Sequence, residues 1–286
     1  MKKRIFLIIS LLLFLTGCDL FKDDFSDKYV YTTYYPIEYA TRSLYSDYGN
    51  ISSLYPNGAS KNYKLTEKKK KTYSNAELFI YSGVANEASL AKDLINMNSK
   101  MKLIDATKGM NNLELQSTWL DPSNYLMLCS NIKSNLIEYN DNVYVKEAIE
   151  NNYKELNKNI SEIDVQLYDI GKNGNYNTLL VTNDIFNYLT KYNINVISLD
   201  PDNEQIDKAY ADAKKLIGEK KIQYLFYLEG DEINANQEKL INDNSLVKVE
   251  INDIFTLTDE ERDNDKNYIT IMNDIIAGYK RELYKK

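Results

Sequence analysis

The strongest pattern in the chain lies between residues 144 and 170. Apolar side chains recur there at Ile149, Tyr153, Leu156, Ile160, Ile163, Leu167 and Ile170, at spacings of 4, 3, 4, 3, 4 and 3. That period puts all seven on one face of a helix, and no Pro or Gly interrupts it. The spacing predicts one long helix over 144–170, broken by Gly171 and Gly174. A single stripe with no second heptad segment to pair with it predicts packing across the protein body rather than a coiled coil.

On both sides of this helix, short β-branched or aromatic runs alternate with helical segments. Before it, strands are predicted at 29–34 (stopped by Pro36), 78–81 and 102–105, with helices at 37–45, 67–75 and 88–96. After it, strands are predicted at 178–182, 196–199, 223–228 and 247–251, with helices at 184–192, 204–216, 232–241 and 268–283. Strand–helix alternation implies parallel pairing, because a parallel neighbour needs a crossover. The expected fold is α/β: two α/β lobes with mostly parallel sheets, spanning 29–143 and 171–286, joined by one long rigid helix over 144–170.

The amino end has a different pattern. Lys2, Lys3 and Arg4 precede an apolar run from Ile5 to Leu15, followed by Leu15-Thr16-Gly17-Cys18. A basic start, a short apolar run and small residues before a cleavage point form an export signal too short to span a membrane as a stable helix. The tetrapeptide resembles a bacterial lipobox. The resemblance implies removal of residues 1–17, acylation of Cys18, a tether over 18–28, and residence at the cell membrane on its extracytoplasmic face. Two or more acyl chains make such an anchor stable.

Composition narrows the chemistry. Without residues 1–17 the 35 basic residues fall to 32 against 42 acidic ones, a net charge of −10. An acidic chain argues against nucleic acid as a partner, since phosphate contacts need clustered cations. The run Lys68–Lys71 reads as a solvated helix face and the acidic run 259–265 as a surface loop without the glycine or spacing of an EF-hand. Cys129 is the one cysteine left after lipidation, so no disulfide or thiolate cluster is available, and it reads as a buried apolar residue. The chain has no histidine. Ser-His-Asp and Cys-His catalysis and imidazole-bound zinc are thereby excluded. With no phosphate-binding glycine loop either, an enzyme is not expected, and a monomer is.

Several segments are similar to one receptor family: Tyr31-Thr32-Thr33-Tyr34-Tyr35-Pro36-Ile37-Glu38-Tyr39, Ala76-Glu77-Leu78-Phe79-Ile80-Tyr81-Ser82-Gly83, Trp119-Leu120-Asp121-Pro122 and Asp184-Ile185-Phe186-Asn187-Tyr188-Leu189. In this order they resemble the substrate-binding lipoproteins of zinc- and manganese-type ABC importers. The resemblance implies two lobes around a cleft that captures a divalent metal and delivers it to a membrane permease.

It also implies four ligand positions. Here they fall on Lys61 (or Asn62, by the alternative register), Ser117, Asn183 and Asp253, where the family uses histidines, a histidine or glutamate, and an aspartate. Only Asp253 keeps a metal-binding type. Lys61 is expected to pair with Asp253 and close the cleft. A rival oxygen site would draw on Glu229 and Asp231, with Asp184 and Glu232 near them, and would suit calcium, magnesium or manganese; the favoured reading of these acids is as solvated loop and helix-cap residues, with Asp184 at a helix start. Tyr34, Tyr35, Tyr63, Trp119 and Tyr125 suggest an aromatic pocket for an organic ligand. The expected function is that of an importer receptor or a paralogue with altered ligand. The alternative is a surface interaction lipoprotein that keeps the fold without metal.

Overall fold

The computed structural model describes residues 28–59, 63–85, 87–110 and 112–286. The lipobox with Cys18, and both Lys61 and Asn62, lie outside the described residues.

The first lobe contains four parallel strands, β1 (Tyr29–Thr32), β2 (Asn50–Ser53), β3 (Leu78–Tyr81) and β4 (Lys102–Asp105), in the order β2-β1-β3-β4. Helices α1 (Tyr35–Tyr45), α2 (Glu67–Tyr73) and α3 (Glu87–Met97) supply the crossovers. The chain then runs through α4 (Ser117–Leu120) and α5 (Pro122–Tyr139) into the long helix α6 (Val143–Asn173).

The second lobe repeats the plan. Strands β5 (Thr178–Val181), β6 (Asn195–Ser198), β7 (Tyr224–Leu228) and β8 (Val247–Ile251) are parallel, in the order β6-β5-β7-β8. They alternate with a 3-10 helix (Asp184–Tyr192), α7 (Ile206–Gly218) and α8 (Ala235–Asn244); α9 (Asp259–Asp263) and α10 (Tyr268–Leu283) close the chain. The α/β class with two mainly parallel sheets is thus as the alternation predicts.

Helix α6 is the spine. Asn142 caps it by accepting from the Tyr144 and Val145 N–H groups. Its stripe of Ile149, Leu156, Ile160, Ile163, Leu167 and Ile170 is buried against α1 and α5 of the first lobe and α10 of the second. One apolar core therefore runs through both lobes. Each sheet has a second, smaller core on its other face, around Phe79 and Leu94 in the first lobe and Leu225 and Leu240 in the second.

Four local differences from the sequence reading have physical causes. Gly171 does not end α6: the helix continues to Asn173, and a Cβ at 171 would lie 1.9 Å from the Tyr192 carbonyl oxygen, so glycine serves close packing there. Strand β2 has a single buried residue, Ile51, and carries too little periodicity to be seen. Helix α5 is absent from the predicted helices; it begins at Pro122 with the Asp121 carboxylate accepting from Ser123 N–H, so Asp-Pro forms its cap and first turn. The acidic run 259–265 contains α9, held by a reciprocal capping box between Thr258 and Glu261.

Candidate functional site

Both sheets end at the crevice between the lobes. In an open parallel sheet, ligands bind beyond the carboxyl ends of the strands where the connections diverge. Here that switch point lies between β1 and β3 in one lobe and between β5 and β7 in the other.

The first lobe fills its side with aromatic rings. Tyr34 stacks on Tyr55 with centroids 5.3 Å apart and 11° between planes, and it also meets Trp119 at 5.7 Å and Phe255 at 4.7 Å. Tyr63 lies edge-on to Tyr55 at 5.9 Å. Beneath them Glu87 is buried at the start of α3. Its two oxygens accept from Tyr55 Oη (2.9 Å) and Ser82 N–H (3.0 Å). Burial pushes this carboxyl above the usual range, and the donors around it offset only part of that. The Thr33 and Tyr34 hydroxyls also lie beside the carboxylate, although Thr33 Oγ1 has no partner of hydrogen-bond geometry among the described residues.

The second lobe presents charge. Asn183 caps the 3-10 helix through Oδ1, which accepts from Ile185 N–H at 2.9 Å, and its amide Nδ2 faces Asp231 Oδ2 at 3.4 Å. Asp200 Oδ2 accepts from Asp184 N–H at 3.1 Å. Across the crevice, Glu114 has its carboxyl held above the usual range by partial burial first and by Asp200, Asp184 and Asp231 after that. Glu229 is exposed on the turn before Gly230 and Asp231.

The expected ligand positions are held by the chain itself. Ser117 Oγ donates to the Glu114 carbonyl at 2.8 Å. Buried Asp253 accepts from Phe255 N–H through Oδ1 at 2.9 Å, and its backbone carbonyl accepts from Trp119 Nε1 at 2.9 Å. A hydroxyl, an amide and one carboxylate, each in a local hydrogen bond, do not match the deprotonated, charge-donating set that zinc requires. Among the described residues, no three His, Cys, Asp or Glu side chains sit close enough to hold a metal ion.

Of the aromatic candidates, Tyr34, Tyr63 and Trp119 join the crevice cluster, while Tyr55 and Phe255 complete it unforeseen. Tyr125 instead packs on Tyr268 at 4.0 Å and donates to the Pro36 carbonyl, and Tyr35 lies beneath Arg262. The rings pack on one another, so this side of the crevice is a plug rather than an open pocket.

Residues 252–258 bind the lobes together. The Tyr35 N–H donates to the Phe255 carbonyl (3.0 Å) and the Gly58 N–H to the Leu257 carbonyl (2.9 Å). Tyr268 Oη donates to the Trp119 carbonyl at 2.7 Å, and Lys191 pairs with Asp121.

Residues 30–281 match the model of the family described as zinc-uptake complex component A, periplasmic. The zinc-binding lipoprotein AdcA of Streptococcus pneumoniae (strain R6) is 24% identical over a 312-residue alignment that covers 98% of this chain and 61% of AdcA. The chain thus spans about three-fifths of that relative's length. The high-affinity zinc uptake system protein ZnuA of Bacillus subtilis is 22% identical, with 92% of this chain and 90% of ZnuA covered. Among solved structures, the metal-dependent lipoprotein YcdH from Bacillus subtilis superposes with a TM-score of 0.73 at 21% identity, over 91% of this chain and 100% of YcdH. The Zn(II)-bound ZnuA-like domain of Streptococcus pneumoniae AdcA gives a TM-score of 0.70 at 22% identity, over 90% of this chain and 99% of that domain. At these identities the likeness to solved structures speaks for the fold.

Proposed function

The chain belongs to the family of periplasmic zinc-uptake component A proteins, and from that premise we propose that it is the membrane-tethered substrate-binding component of a metal-type ABC importer whose cargo is a cation held by oxygen donors. The family is one of substrate-binding receptors rather than enzymes. Capture takes place at the crevice and delivery to a membrane permease follows, with no bond made or broken in the cargo. Acylated Cys18 would keep the receptor beside that permease.

The observation that carries the choice of cargo is the set of oxygen-bearing side chains at the carboxyl ends of β5, β6 and β7, where Asn183 Nδ2 meets Asp231 Oδ2 at 3.4 Å and Asp200 Oδ2 accepts from Asp184 N–H at 3.1 Å, with the Glu114 carboxyl of the opposite lobe raised by partial burial and then by these acids. A cation placed among them would relieve their mutual repulsion, and hard oxygen donors favour calcium, magnesium or manganese over zinc. Asn183 and Asp231, already in contact, are the side chains best placed to turn toward it. The carboxylates stand at electrostatic rather than ligating range, so capture requires them to draw in.

The test is titration of the chelator-stripped protein with zinc, manganese and calcium, read by calorimetry and elemental analysis. One-to-one binding of manganese or calcium, weakened at least about tenfold by Asp231→Asn through loss of a charged ligand, is the expected outcome. Tight zinc binding indifferent to Asp231→Asn, or no binding of any of the three, overturns the oxygen-donor reading.

A further inference from the structure

Arg262 sits in α9, on the second lobe's side of the chain, yet its guanidinium meets Asn57, Glu38 and Tyr35, all of the first lobe. Its guanidinium forks onto Glu38 in α1, with Nη2 to Oε2 at 2.8 Å and Nη1 to Oε1 at 3.3 Å. Nε donates to Asn57 Oδ1 at 2.6 Å, and the guanidinium carbon lies 5.4 Å from the centre of the Tyr35 ring. Asn57 in turn donates to Asp259 at 2.6 Å, one turn before Arg262. The helix that carries Arg262 is fixed in advance by the Thr258–Glu261 capping box, and Asn252 Nδ2 donates to Glu261 at 3.2 Å.

Glu38 is only 2% exposed, and a bidentate arginine on a buried carboxylate is among the stronger polar contacts a protein makes. Removing the partner of a buried charge is normally prohibitive. Glu38 avoids that, because Arg42, one turn along the same helix, donates through Nε to Oε1 at 2.8 Å. The carboxylate therefore has a permanent partner in its own lobe and a removable one in the other. That combination permits separation without stranding a buried charge.

We propose that Arg262 and Glu38 form a latch that holds the two lobes closed whether or not cargo is present. The contact joins α1 to α9 and uses none of the acidic side chains Glu114, Asp184, Asp200 and Asp231, and the inference does not depend on which cargo they take. Closure here is a property of the protein's own side chains, and the latch sets how often residues 252–258 part from the first lobe.

Amide hydrogen exchange on the full chain tests this, with and without added manganese, on the wild type, Arg262→Gln and Arg42→Gln. The reporters are the Tyr35 and Gly58 amides, whose carbonyl partners lie in the other lobe. In the wild type their protection should be the same in chelator and in manganese. Arg262→Gln should speed their exchange roughly tenfold or more, the size expected for losing hydrogen bonds to a charged group, while β1, β3, β5 and β7 stay protected. Arg42→Gln, which touches the same carboxylate without crossing lobes, should change them by no more than about twofold. Arg262→Lys, which keeps the charge but not the fork, should fall between the two. The latch is overturned if Arg262→Gln leaves the crossing amides unchanged, if it accelerates all core strands equally, or if wild-type protection appears only with metal.

Discussion

The two lobes share one topology and differ in what they place at the ends of their strands. Each runs its first strand down the middle of a parallel sheet, and each follows it with a buried threonine, Thr33 or Thr182, whose hydroxyl has no partner among the described residues. The next two residues diverge. Tyr34 joins the packed aromatics of the first rim while Tyr35 lies beneath Arg262, whereas Asn183 and Asp184 give the second rim an amide and a carboxylate. A repeated sheet order dictates where these residues stand, and side-chain identity alone decides whether the rim is dry or anionic. The first rim contributes cohesion and the second contributes field.

Replacing Trp119 should have the largest effect on this contrast. The indole is fully buried, packs on Tyr34 and donates across the lobes to Asp253. Trp119→Ala should cost about 3–5 kcal/mol in urea unfolding, as for other large buried aromatics. A loss below about 1 kcal/mol, the range of surface changes, would show that the first rim is not the cohesive one.

Glu87→Gln acts on the same rim through charge. The folded-state carboxyl lies above its unfolded value of about 4.3, so its favourable contribution is complete below that pH and is lost as pH rises through the folded value. Wild-type stability should therefore decline on going from about pH 4 toward neutrality, and the variant should lack that component of the slope. Its own loss at neutral pH should stay within about 2 kcal/mol, because one acceptor oxygen is kept. Identical pH profiles for the two proteins would refute this assignment.

Glu114→Gln should be the mildest change and should probe the other rim. Its carboxyl is raised by partial burial and by three second-lobe acids, so the sign is the same, but the group is largely solvent-screened. A slight gain in stability near neutral pH, fading as salt is raised, is expected in thermal unfolding. A gain that ignores salt would mean that the three carboxylates are not its source.

Much of the fold was legible because burial leaves a period. The 4-3 stripe of α6 is read directly, and β3, β4 and β8 are short apolar or alternating runs between turns. What escaped was structure fixed by partners distant in sequence. Asn50–Ser53 becomes a strand because Tyr29–Thr32 pairs with it. Arg262 looked like one charge in an acidic loop, since nothing local says that its carboxylate lies 224 residues away. The site was legible only in part. Resemblance assigned ligand positions to Ser117, Asn183 and Asp253, and the absence of histidine argued against imidazole-bound zinc there. That Ser117 and Asp253 are committed to backbone groups depends on local turns, and the convergence of Glu114 with three distant acids depends on lobe docking; neither leaves a periodic trace.

The segment 252–258 also has a consequence for how the molecule is assembled. Phe255 and Leu257 belong to the shared core, and their carbonyls receive amides from Tyr35 and Gly58, which lie far earlier in the chain. Loop-closure entropy over such separations must be overcome before those contacts return anything. During synthesis or passage through a membrane, amino end first, the first lobe thus waits with an open seam. It becomes a finished body only when the stretch that belongs by sequence to its neighbour has emerged and folded back over it.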